Sequence, residues 1–216
     1  MRPGLVEYGK AWDIQREIFF ARSNDEIEDT LILLQHPPAY TFGRSSEIEQ
    51  PILKEPNRTE DVNNASIYFV DRGGGAAYHG PGQIVCYPIL CLRPYTADYH
   101  TYLRMLEDVI IKTLKDFQID SHKLKDLTGV WVDNKKIGCI GVRIIKGFTM
   151  HGFSLNVTND LSPYEKIIPC NIKDLKITSM KEILGPEKIG QEQDISTVEE
   201  RLIMNFSEVF NIMFDI

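Results

Sequence analysis

Three apolar runs of strand length follow one another in the second half of this chain, and they constrain its fold more than any other feature. They cover Gly129–Val132, Lys136–Ile145 and Phe148–Val157. The dipeptide Asp133-Asn134 separates the first two runs, and both of its residues tolerate a positive φ, which is typical of a tight β-hairpin. A second turn, at 146–147, separates the last two runs. This region therefore predicts three strands in succession.

Two amphipathic patterns predict helices, and shorter apolar runs predict further strands. Apolar side chains recur at helical spacing over Tyr8–Ala21 and over Asp98–Phe117. The additional strand-length runs are Leu31–Leu34, Ile67–Val70 and Gln83–Leu92. Pro88 interrupts the last of these runs. It favours an edge strand or a bulge over a central position, because proline has no N–H group to donate to a ladder.

Two capping boxes predict helices near the end of the chain. Ser179 and Glu182 have the spacing in which a serine caps a helix and a glutamate three residues later reaches back, and they predict a short helix. Ser196 and Glu199 repeat this spacing and predict a terminal helix over Val198–Phe214.

The order helix, strands, helix, strands, helix predicts an α+β fold. We expect a single domain over residues 1–216, with a mixed, largely antiparallel sheet flanked by helices. A chain of 216 residues is long enough to bury a substantial core. The polar segment Ser45–Asn64, which contains Pro51 and Pro56, is interpreted as a long surface loop.

Composition and charge exclude several classes of protein. The 24 basic and 31 acidic side chains give a net charge of −7, which argues against a nucleic-acid partner, since phosphate binding needs a basic field. No apolar run approaches the roughly 20 residues of a membrane span. Charged residues among the first twenty argue against a secretory or transit peptide. The four cysteines lack metal-site spacing, so we expect reduced thiols in a cytoplasmic protein.

A glycine-rich loop follows the strand-length run that ends at Val70. It reads Arg-Gly-Gly-Gly-Ala-Ala-Tyr-His-Gly-Pro-Gly-Gln over residues 72–83. Such a loop lets a ligand approach the main chain closely, although it also suits a purely structural tight turn. It lacks the Gly-Lys-Ser/Thr ending of a Walker loop, and a strand rather than a helix follows it. Arg72 and His79 on either side of the glycines favour a binding site.

Lys135 and Lys136 open a strand, so strict alternation turns one of them inward and the other outward. In that alternation Lys136 shares a face with Gly138 and Ile140, and Lys135 shares the opposite face with Cys139. Paired lysines at a hairpin are usually solvated, so this pattern alone is also compatible with two exposed turn residues that have no functional role.

Cys170 is the cysteine placed to react, because it lies on a sharp turn between a proline and an asparagine. The other three cysteines lie in apolar strand-like runs and are interpreted as small buried hydrophobic residues. They are Cys86, Cys91 and Cys139.

Together these segments resemble the lipoyl(octanoyl) transferase family, whose members move an octanoyl group from acyl carrier protein to lipoyl domains. The matching segments are Gln35–Arg44, 72–90, Gly129–Trp131, Lys136–Arg143, Thr149–Val157 and Pro169-Cys170. They cover most of residues 30–172 in order, which is far more specific than a glycine-rich loop alone. The resemblance implies the fold of biotin and lipoate protein ligases.

The resemblance also implies which residues act. The family's catalytic cysteine and lysine fall on Cys170 and Lys136, and no cofactor is implied. The implied substrate-binding residues are Arg72, Gly73, Gly74, Gly75, Ala76, Ala77, Tyr78, His79, Cys139, Ile140, Gly141, Gly152, Phe153 and Ser154. The chain departs from the family pattern at Ala77, where threonine is usual, and at Asn171, where glycine is usual. Neither departure removes a reacting group, and asparagine still permits a positive φ.

The implied partners are octanoyl-acyl carrier protein as donor and lipoyl domains as acceptors. The acceptor domains belong to the E2 subunits of 2-oxoacid dehydrogenases and to the H protein of glycine cleavage. Acyl carrier proteins are acidic, so docking on a chain of net charge −7 needs a local basic patch. Candidates for that patch are Arg44, Lys123, Lys125, Arg143 and Lys146.

Three alternatives remain open from the sequence. One is an amidotransferase that moves octanoyl or lipoyl groups between lipoyl proteins. Another is an ATP-dependent lipoate or biotin ligase, although this chain has Arg-Gly-Gly-Gly where biotin ligases have Gly-Arg-Gly-Arg. The third is a protein that binds acylated carrier protein without catalysis.

Overall fold

The computed structural model describes residues 1–46, 50–54, 65–185 and 194–214. The helices are α1 (Tyr8–Ser23), α2 (Tyr99–Asp116), α3 (Met180–Leu184) and α4 (Ile195–Phe210). The strands of the first half are β1 (Gly4–Leu5), β2 (Thr30–Gln35), β3 (Ala39–Phe42), β4 (Ser66–Phe69), β5 (Ala76–His79) and β6 (Gln83–Ile89). The strands of the second half are β7 (Val130–Val132), β8 (Lys135–Ile145) and β9 (Phe148–Asn156).

A six-stranded sheet forms the centre of the molecule, in the order β1-β2-β6-β9-β8-β7. All neighbouring strands are antiparallel except β1 and β2, which run parallel. Helices α2 and α4 pack against one face, where Leu33, Ile84 and Leu155 lie in the main core. Helix α1 covers the other face, against side chains such as Ile32 and Val85. The expected α+β architecture with helices on a largely antiparallel sheet is confirmed.

A second, three-stranded sheet has the order β4-β3-β5. Its own small core includes Tyr40, Tyr78 and Tyr164. Ala76 at the start of β5 forms an isolated bridge with Pro169, and the Cys170 N–H donates to the Ala76 carbonyl at 2.9 Å. This sheet therefore holds the turn that carries Cys170.

The expectation that Pro88 places its strand at an edge is wrong. Strand β6 is buried along its whole length and lies between β2 and β9. Its ladder with β9 ends after Cys86 pairs with Phe153, and the Thr149 hydroxyl then donates to the Pro88 carbonyl at 2.7 Å. The same hydroxyl accepts from the Leu90 N–H at 2.9 Å. The ladder with β9 has therefore ended before Pro88, and the Thr149 side chain satisfies the Pro88 carbonyl and the Leu90 amide there, so a residue without an N–H group fits in a central strand.

The helix caps agree with the sequence in one case and differ in the other. Ser179 caps α3 by accepting from the Glu182 N–H, as the capping box predicts. Helix α4 is capped instead by Asp194, which accepts from the Thr197 N–H, so Ser196 lies inside the first turn. A carboxylate two residues earlier is a good acceptor for the free amides of a helix start.

Of the segment interpreted as a long surface loop, Ser45–Asn64, a large part lies outside the described residues. Within the described part, Pro51–Lys54 forms one turn of 3-10 helix. Among the described residues, none of the helices combines the length and apolar character needed to cross a bilayer.

Candidate active site

A cavity of about 190 Å³ lies where the two sheets meet. Strand β5 and the preceding glycine loop form one wall, and β8 and β9 form another. Asp126 and Leu127 line the cavity and are exposed, whereas Tyr8, Val85 and Tyr87 line it and are buried. The cavity therefore has a solvent-facing end and a buried end.

Lys136 and Cys170 meet in this cavity. The Lys136 Nζ atom lies 3.3 Å from the Cys170 Sγ atom and donates to it. The same Nζ atom donates to the Thr128 carbonyl at 2.9 Å and lies 4.8 Å from the centre of the Trp131 ring. Lys136 is only 2% exposed, whereas Lys135 is exposed. Lys136 is therefore the lysine that turns inward, and its ammonium group is held by acceptors on more than one side.

The expectation that Lys136 and Cys139 lie on opposite faces of β8 is wrong. Val130 pairs with Gly138 but the next residue, Trp131, pairs with Lys136, so the register shifts by one residue. An extra residue of this kind resets the alternation of side chains along a strand. The Cys139 thiol consequently reaches Cys170, as Lys136 does. Cys139 is thus a partly exposed neighbour of the reactive sulfur and not a core residue.

The environment favours the thiolate form of Cys170. The pKa of Cys170 is lowered to about 5, and the largest cause is a hydrogen bond from Cys139. Burial alone would raise this pKa, whereas the charge and the hydrogen bond of Lys136 lower it further. The pKa of Cys139 is raised well above its usual value by its hydrogen bond to Cys170 and by burial. The pKa of Lys136 is also raised, because the two neighbouring thiols outweigh the cost of burial. Of the two sulfurs, Cys170 is therefore the one that ionises beside an ammonium group.

The turn at Cys170 is held in a left-handed conformation, with φ of 56° at Cys170 and 59° at Asn171. Asparagine adopts this conformation more readily than most residues, so it serves where the family usually has glycine. The amides of Cys170, Asn171 and Ile172 all donate to backbone carbonyls. These three amides are therefore engaged within the backbone and are not free to donate to a bound oxyanion.

One glycine of the loop and one glycine of β8 are required by close contacts. A Cβ atom on Gly75 would lie 2.3 Å from the Asn171 Oδ1 atom and 2.8 Å from the Asn171 backbone nitrogen. A Cβ atom on Gly141, in the opposite wall, would lie 3.0 Å from the Gly73 carbonyl oxygen. The glycine pattern thus reflects the close packing of the loop against the cysteine turn and against β8.

Arg72 is a buried wall residue whose guanidinium group holds the loop together. It donates to the Thr41 carbonyl at 2.9 Å, to the Thr41 hydroxyl at 2.8 Å and to the Gly73 carbonyl at 2.9 Å. Its charge also helps to lower the pKa of Cys170. The structure thus places Arg72 as a support of the cavity, within electrostatic reach of the sulfur.

His79 and His151 line the cavity as neutral rings. Burial lowers the pKa of His79 well below its usual value, and one ring nitrogen lies 2.7 Å from the Gln83 Oε1 atom. Burial, with nearby arginines, lowers the pKa of His151 to about 3, and its Nε2 atom lies 2.7 Å from Asp71. A neutral ring carries one N–H group. The His79 ring donates from Nδ1 to Gln83 and the His151 ring donates from Nε2 to Asp71, which fixes the tautomer of each ring. Neither histidine contacts the reacting sulfur.

The structure brings most of the residues that the sequence singles out to this cavity. Cys170 and Lys136 line it, together with Arg72, Gly74, Gly75, Ala76, Ala77, His79, Cys139, Ile140, Gly141, Gly152, Phe153 and Ser154. Gly73 and Tyr78 do not. The Gly73 amide donates to the Val142 carbonyl, and Tyr78 packs against Tyr40 and Tyr164 in the core of the small sheet.

Sequence reasoning missed several residues of the cavity. They are Tyr8, Val85, Tyr87, Asp126, Leu127, Thr128 and Ile172. His151 also lines the cavity; the sequence singles out its His-Gly-Phe-Ser segment, although a lone histidine beside a strand is more often structural than catalytic. The others come from a helix, a neighbouring strand and two connections, whose approach to the cavity depends on the packing of the sheets.

Comparisons with known proteins agree with this geometry. Residues 7–207 match the sequence model of the lipoyl protein ligase A/B catalytic domain. A chloroplastic octanoyltransferase of Arabidopsis thaliana is 40% identical over 223 residues, which span 98% of this chain and 77% of that protein. An octanoyltransferase of Rubrobacter xylanophilus is 40% identical over 208 residues, which span 96% of this chain and 90% of that protein.

Solved structures show the same fold. A lipoate-protein ligase A bound with ATP superposes with a TM-score of 0.70 at 19% identity, covering 100% of this chain and 88% of that one. A bipartite lipoate protein ligase from Thermoplasma acidophilum superposes with a TM-score of 0.71 at 17% identity, covering 98% and 84%. The chain belongs to the lipoyl protein ligase A/B catalytic-domain family, and within it to the octanoyltransferases.

Proposed function

We propose that this enzyme transfers an octanoyl group from octanoyl-acyl carrier protein to the ε-amino group of a lysine on a lipoyl domain, through a thioester on Cys170. The observation that carries the proposal is the 3.3 Å contact between the Lys136 Nζ and Cys170 Sγ atoms inside the cavity. A thiolate next to an ammonium group is a nucleophile that is stable at neutral pH.

The first step is an exchange of thioesters. The Cys170 thiolate attacks the carbonyl carbon of the donor, and the bond between that carbon and the sulfur of the carrier breaks. The Lys136 ammonium group gives a proton to the departing thiolate, which leaves octanoyl-Cys170 and a neutral Lys136. One thioester replaces another, so the step needs no ATP.

The second step forms an amide. The acceptor amine attacks octanoyl-Cys170, and the bond between the carbonyl carbon and Sγ breaks. Neutral Lys136 takes a proton from the attacking amine, and the thiolate beside the new ammonium group is restored. Lys136 thus acts first as an acid and then as a base, because the negative charge beside it disappears on acylation and returns afterwards.

The walls of the cavity suit an apolar chain. Val85, Ile140 and Phe153 all line it. Each buried methylene contributes about 0.8 kcal/mol, so an eight-carbon chain supplies several kcal/mol of binding free energy. With the amides around Cys170 and that of Gly73 already engaged, the amides of Gly74 and Gly75 in the glycine loop are the proposed donors to the oxyanion that forms in both steps.

Donor docking is proposed at the solvent-facing end of the cavity. Of the five candidate basic residues, Lys123 is 2.6 Å from Asp108 and Arg143 forms an ion pair with Asp71. Arg44, Lys125 and Lys146 are exposed and remain the better candidates for contacts to an acidic carrier protein. The acceptors are proposed to be the lipoyl domains of 2-oxoacid dehydrogenase E2 subunits and the H protein of glycine cleavage.

The proposal also covers domain organisation and location. Residues 1–216 are taken as one catalytic domain, because the cavity draws residues from Tyr8 in α1 to Ile172 beyond the second sheet. All four cysteines are free thiols, which supports a reducing compartment such as the cytoplasm.

Mass spectrometry of the intact protein tests the proposal. Incubation with octanoyl-acyl carrier protein without ATP is expected to add one octanoyl group, which later moves to an added lipoyl domain. A protein that acquires no adduct would be a binder of acylated carrier protein, and one that needs ATP and free octanoate would be a ligase. Transfer only from an octanoylated lipoyl domain would instead indicate an amidotransferase.

A further inference from the structure

A buried carboxylate lies next to the segment that holds Lys136. Glu107, on α2, has a side chain that is 1% exposed. Its Oε1 atom accepts from the Gly129 N–H at 2.8 Å, and its Oε2 atom accepts from the Arg104 Nη1 atom at 2.7 Å. Burying a carboxylate is costly unless its oxygens are satisfied, so this arrangement is a specific one.

Arg104 fastens the same segment at its other end. Its guanidinium group donates to the Leu124 carbonyl at 3.1 Å and to the Lys125 carbonyl at 2.7 Å. Glu107 and Arg104 therefore form one ion pair that holds the second half of the connection between α2 and β7, with contacts on either side of the cavity residues 126–128.

One peptide group links Glu107 to Lys136. The Gly129 N–H donates to Glu107, and the Thr128 carbonyl accepts from the Lys136 Nζ atom at 2.9 Å. This N–H and this carbonyl belong to the same planar peptide group. In a trans peptide the N–H and the C=O point in opposite directions. Fixing the N–H on one side therefore fixes the carbonyl on the other side and aims it at Nζ.

The backbone of Gly129 makes room for this arrangement. Gly129 has a φ of 133°, and a Cβ atom there would lie 2.4 Å from Lys136 Cε and 2.9 Å from Nζ. The lysine side chain thus packs directly against the peptide that Glu107 holds. Any rotation of that peptide changes where Nζ rests.

We propose that Glu107 is a positioning residue, which aims the Lys136 ammonium group at Cys170 through the Thr128–Gly129 peptide. This inference rests on the proposed function, because it concerns how the proposed lysine is held. Glu107 does not line the cavity, so it acts through another residue and takes no part in the chemistry itself.

The charge of Glu107 and its positioning role have opposite effects on Cys170. Cys170 faces Lys136, Cys139, Arg72 and Tyr164, whereas the Glu107 carboxylate acts directly on Lys136, whose pKa it helps to raise. Removing that negative charge alone favours the thiolate and lowers the pKa of Cys170. Misplacing the Lys136 ammonium group disfavours the thiolate and raises the pKa. The sign of the change therefore separates the two roles.

The test measures how the rate of Cys170 alkylation by iodoacetamide depends on pH, with the label located by peptide mass spectrometry. In Glu107→Gln a single amide oxygen must serve two donors; the charged Arg104 guanidinium is the stronger donor and takes it, so the amide NH₂ group faces the Gly129 N–H and the hydrogen bond to that peptide is lost. We expect the alkylation midpoint to rise by roughly one pH unit. An unchanged or lowered midpoint would overturn the proposal. Asp108→Asn is the matched control, since Asp108 is the next residue of α2, is 48% exposed and pairs with Lys123; its midpoint is expected to stay unchanged.

A double-mutant cycle shows whether the effect passes through Lys136. In a Lys136→Met background, Glu107→Gln is expected to produce no further shift, because the side chain to be positioned is absent. A full additional shift would overturn the proposal. If a thermal melt shows that Glu107→Gln does not fold, Arg104→Met replaces it. This residue is 37% exposed, and the midpoint is expected to move in the same direction, whereas no movement would overturn the proposal.

This readout is independent of octanoyl transfer. Wild-type protein that acquires no octanoyl adduct would contradict the proposed function, whatever the alkylation midpoints are. Conversely, normal adduct formation with no midpoint shift in Glu107→Gln would contradict only the role of Glu107.

Discussion

The Lys136 Nζ atom contacts the Cys170 Sγ atom at 3.3 Å, although 34 positions separate the two residues in the chain. Lys136 comes from the second strand from the edge of the large sheet, and Cys170 comes from a turn that the small sheet holds through Ala76. The contact thus spans the junction of the two sheets. The acyl-transfer chemistry proposed for this protein depends on that junction.

Serine substitutions at Cys170 and Cys139 are expected to show which of the two neighbouring sulfurs carries the octanoyl group. Cys170→Ser should form no octanoyl-enzyme adduct, because a hydroxyl beside Lys136 is not ionised as the thiol is. Cys139→Ser is the control, since a hydroxyl there still donates a hydrogen bond to the Cys170 thiolate, and it should keep the adduct. Intact-mass measurement after incubation with octanoyl-acyl carrier protein decides. If the adduct disappeared in Cys139→Ser and remained in Cys170→Ser, the thioester would form on Cys139 and not on Cys170.

The two adjacent lysines are expected to differ sharply. Lys136→Ala should slow octanoylation of Cys170 by about 10²-fold or more, because it removes the proton donor and the charge that stabilises the thiolate. Lys135→Ala should change the rate little, since Lys135 is exposed on the other side of the strand. Quenched-flow mass spectrometry gives both rates. Equal losses in the two variants would argue against Lys136 as the acid and base.

The pKa of about 5 at Cys170 predicts where the octanoylation rate begins to fall as the pH is lowered. The thiolate is the attacking species, so the octanoylation rate should be nearly independent of pH above this value. Below it the rate should fall by about tenfold per pH unit, since the thiol is then protonated. The rate at fixed donor concentration is measured across pH, with circular dichroism to confirm that the protein stays folded. A fall that begins near the ordinary thiol pKa of about 8.5 would show that the site does not stabilise the thiolate.

Two glycines of the loop are expected to respond differently to alanine. Gly75→Ala places a Cβ atom 2.3 Å from Asn171 Oδ1 and should displace the turn that carries Cys170, with loss of the adduct. Gly73→Ala meets only the Val142 carbonyl at 3.3 Å and should retain most of the activity. Adduct formation and thermal melting are measured for both. A Gly75→Ala protein with full activity would show that the loop does not fix the position of Cys170.

Much of the fold follows from local sequence. The hairpin at Asp133-Asn134, the second turn at Lys146-Gly147 and the long amphipathic helix α2 depend on turn chemistry and on residue spacing, which any short window of the chain contains. The residues of the glycine loop and the Pro-Cys turn were recognisable for the same reason, together with their resemblance to one family.

Other features could not be predicted from neighbouring residues, because a residue far away in the chain supplies the interaction that decides them. Pro88 fits in a central strand because the ladder with β9 has ended at Cys86, and the Thr149 hydroxyl, 61 positions away, satisfies the Pro88 carbonyl there. Cys139 joins Cys170 because a register shift between Val130 and Trp131 resets the alternation of β8. Neither effect leaves a signature in the spacing of nearby residues.

The sequence by itself determined the helices, six of the nine described strands, the family and the two residues proposed to react. It did not predict β1, β3 or β5, and β5 lies in the segment that was interpreted as a glycine-rich loop. Only the tertiary structure decided that Lys136 and not Lys135 turns inward, that Cys139 lies beside the reactive sulfur, and that Glu107 lies behind the peptide that Lys136 contacts. The physical reason is that secondary structure depends on local backbone preference. A thiolate, by contrast, is stabilised by charges and hydrogen bonds that reach it through space, from whichever part of the chain the packing of the two sheets brings near.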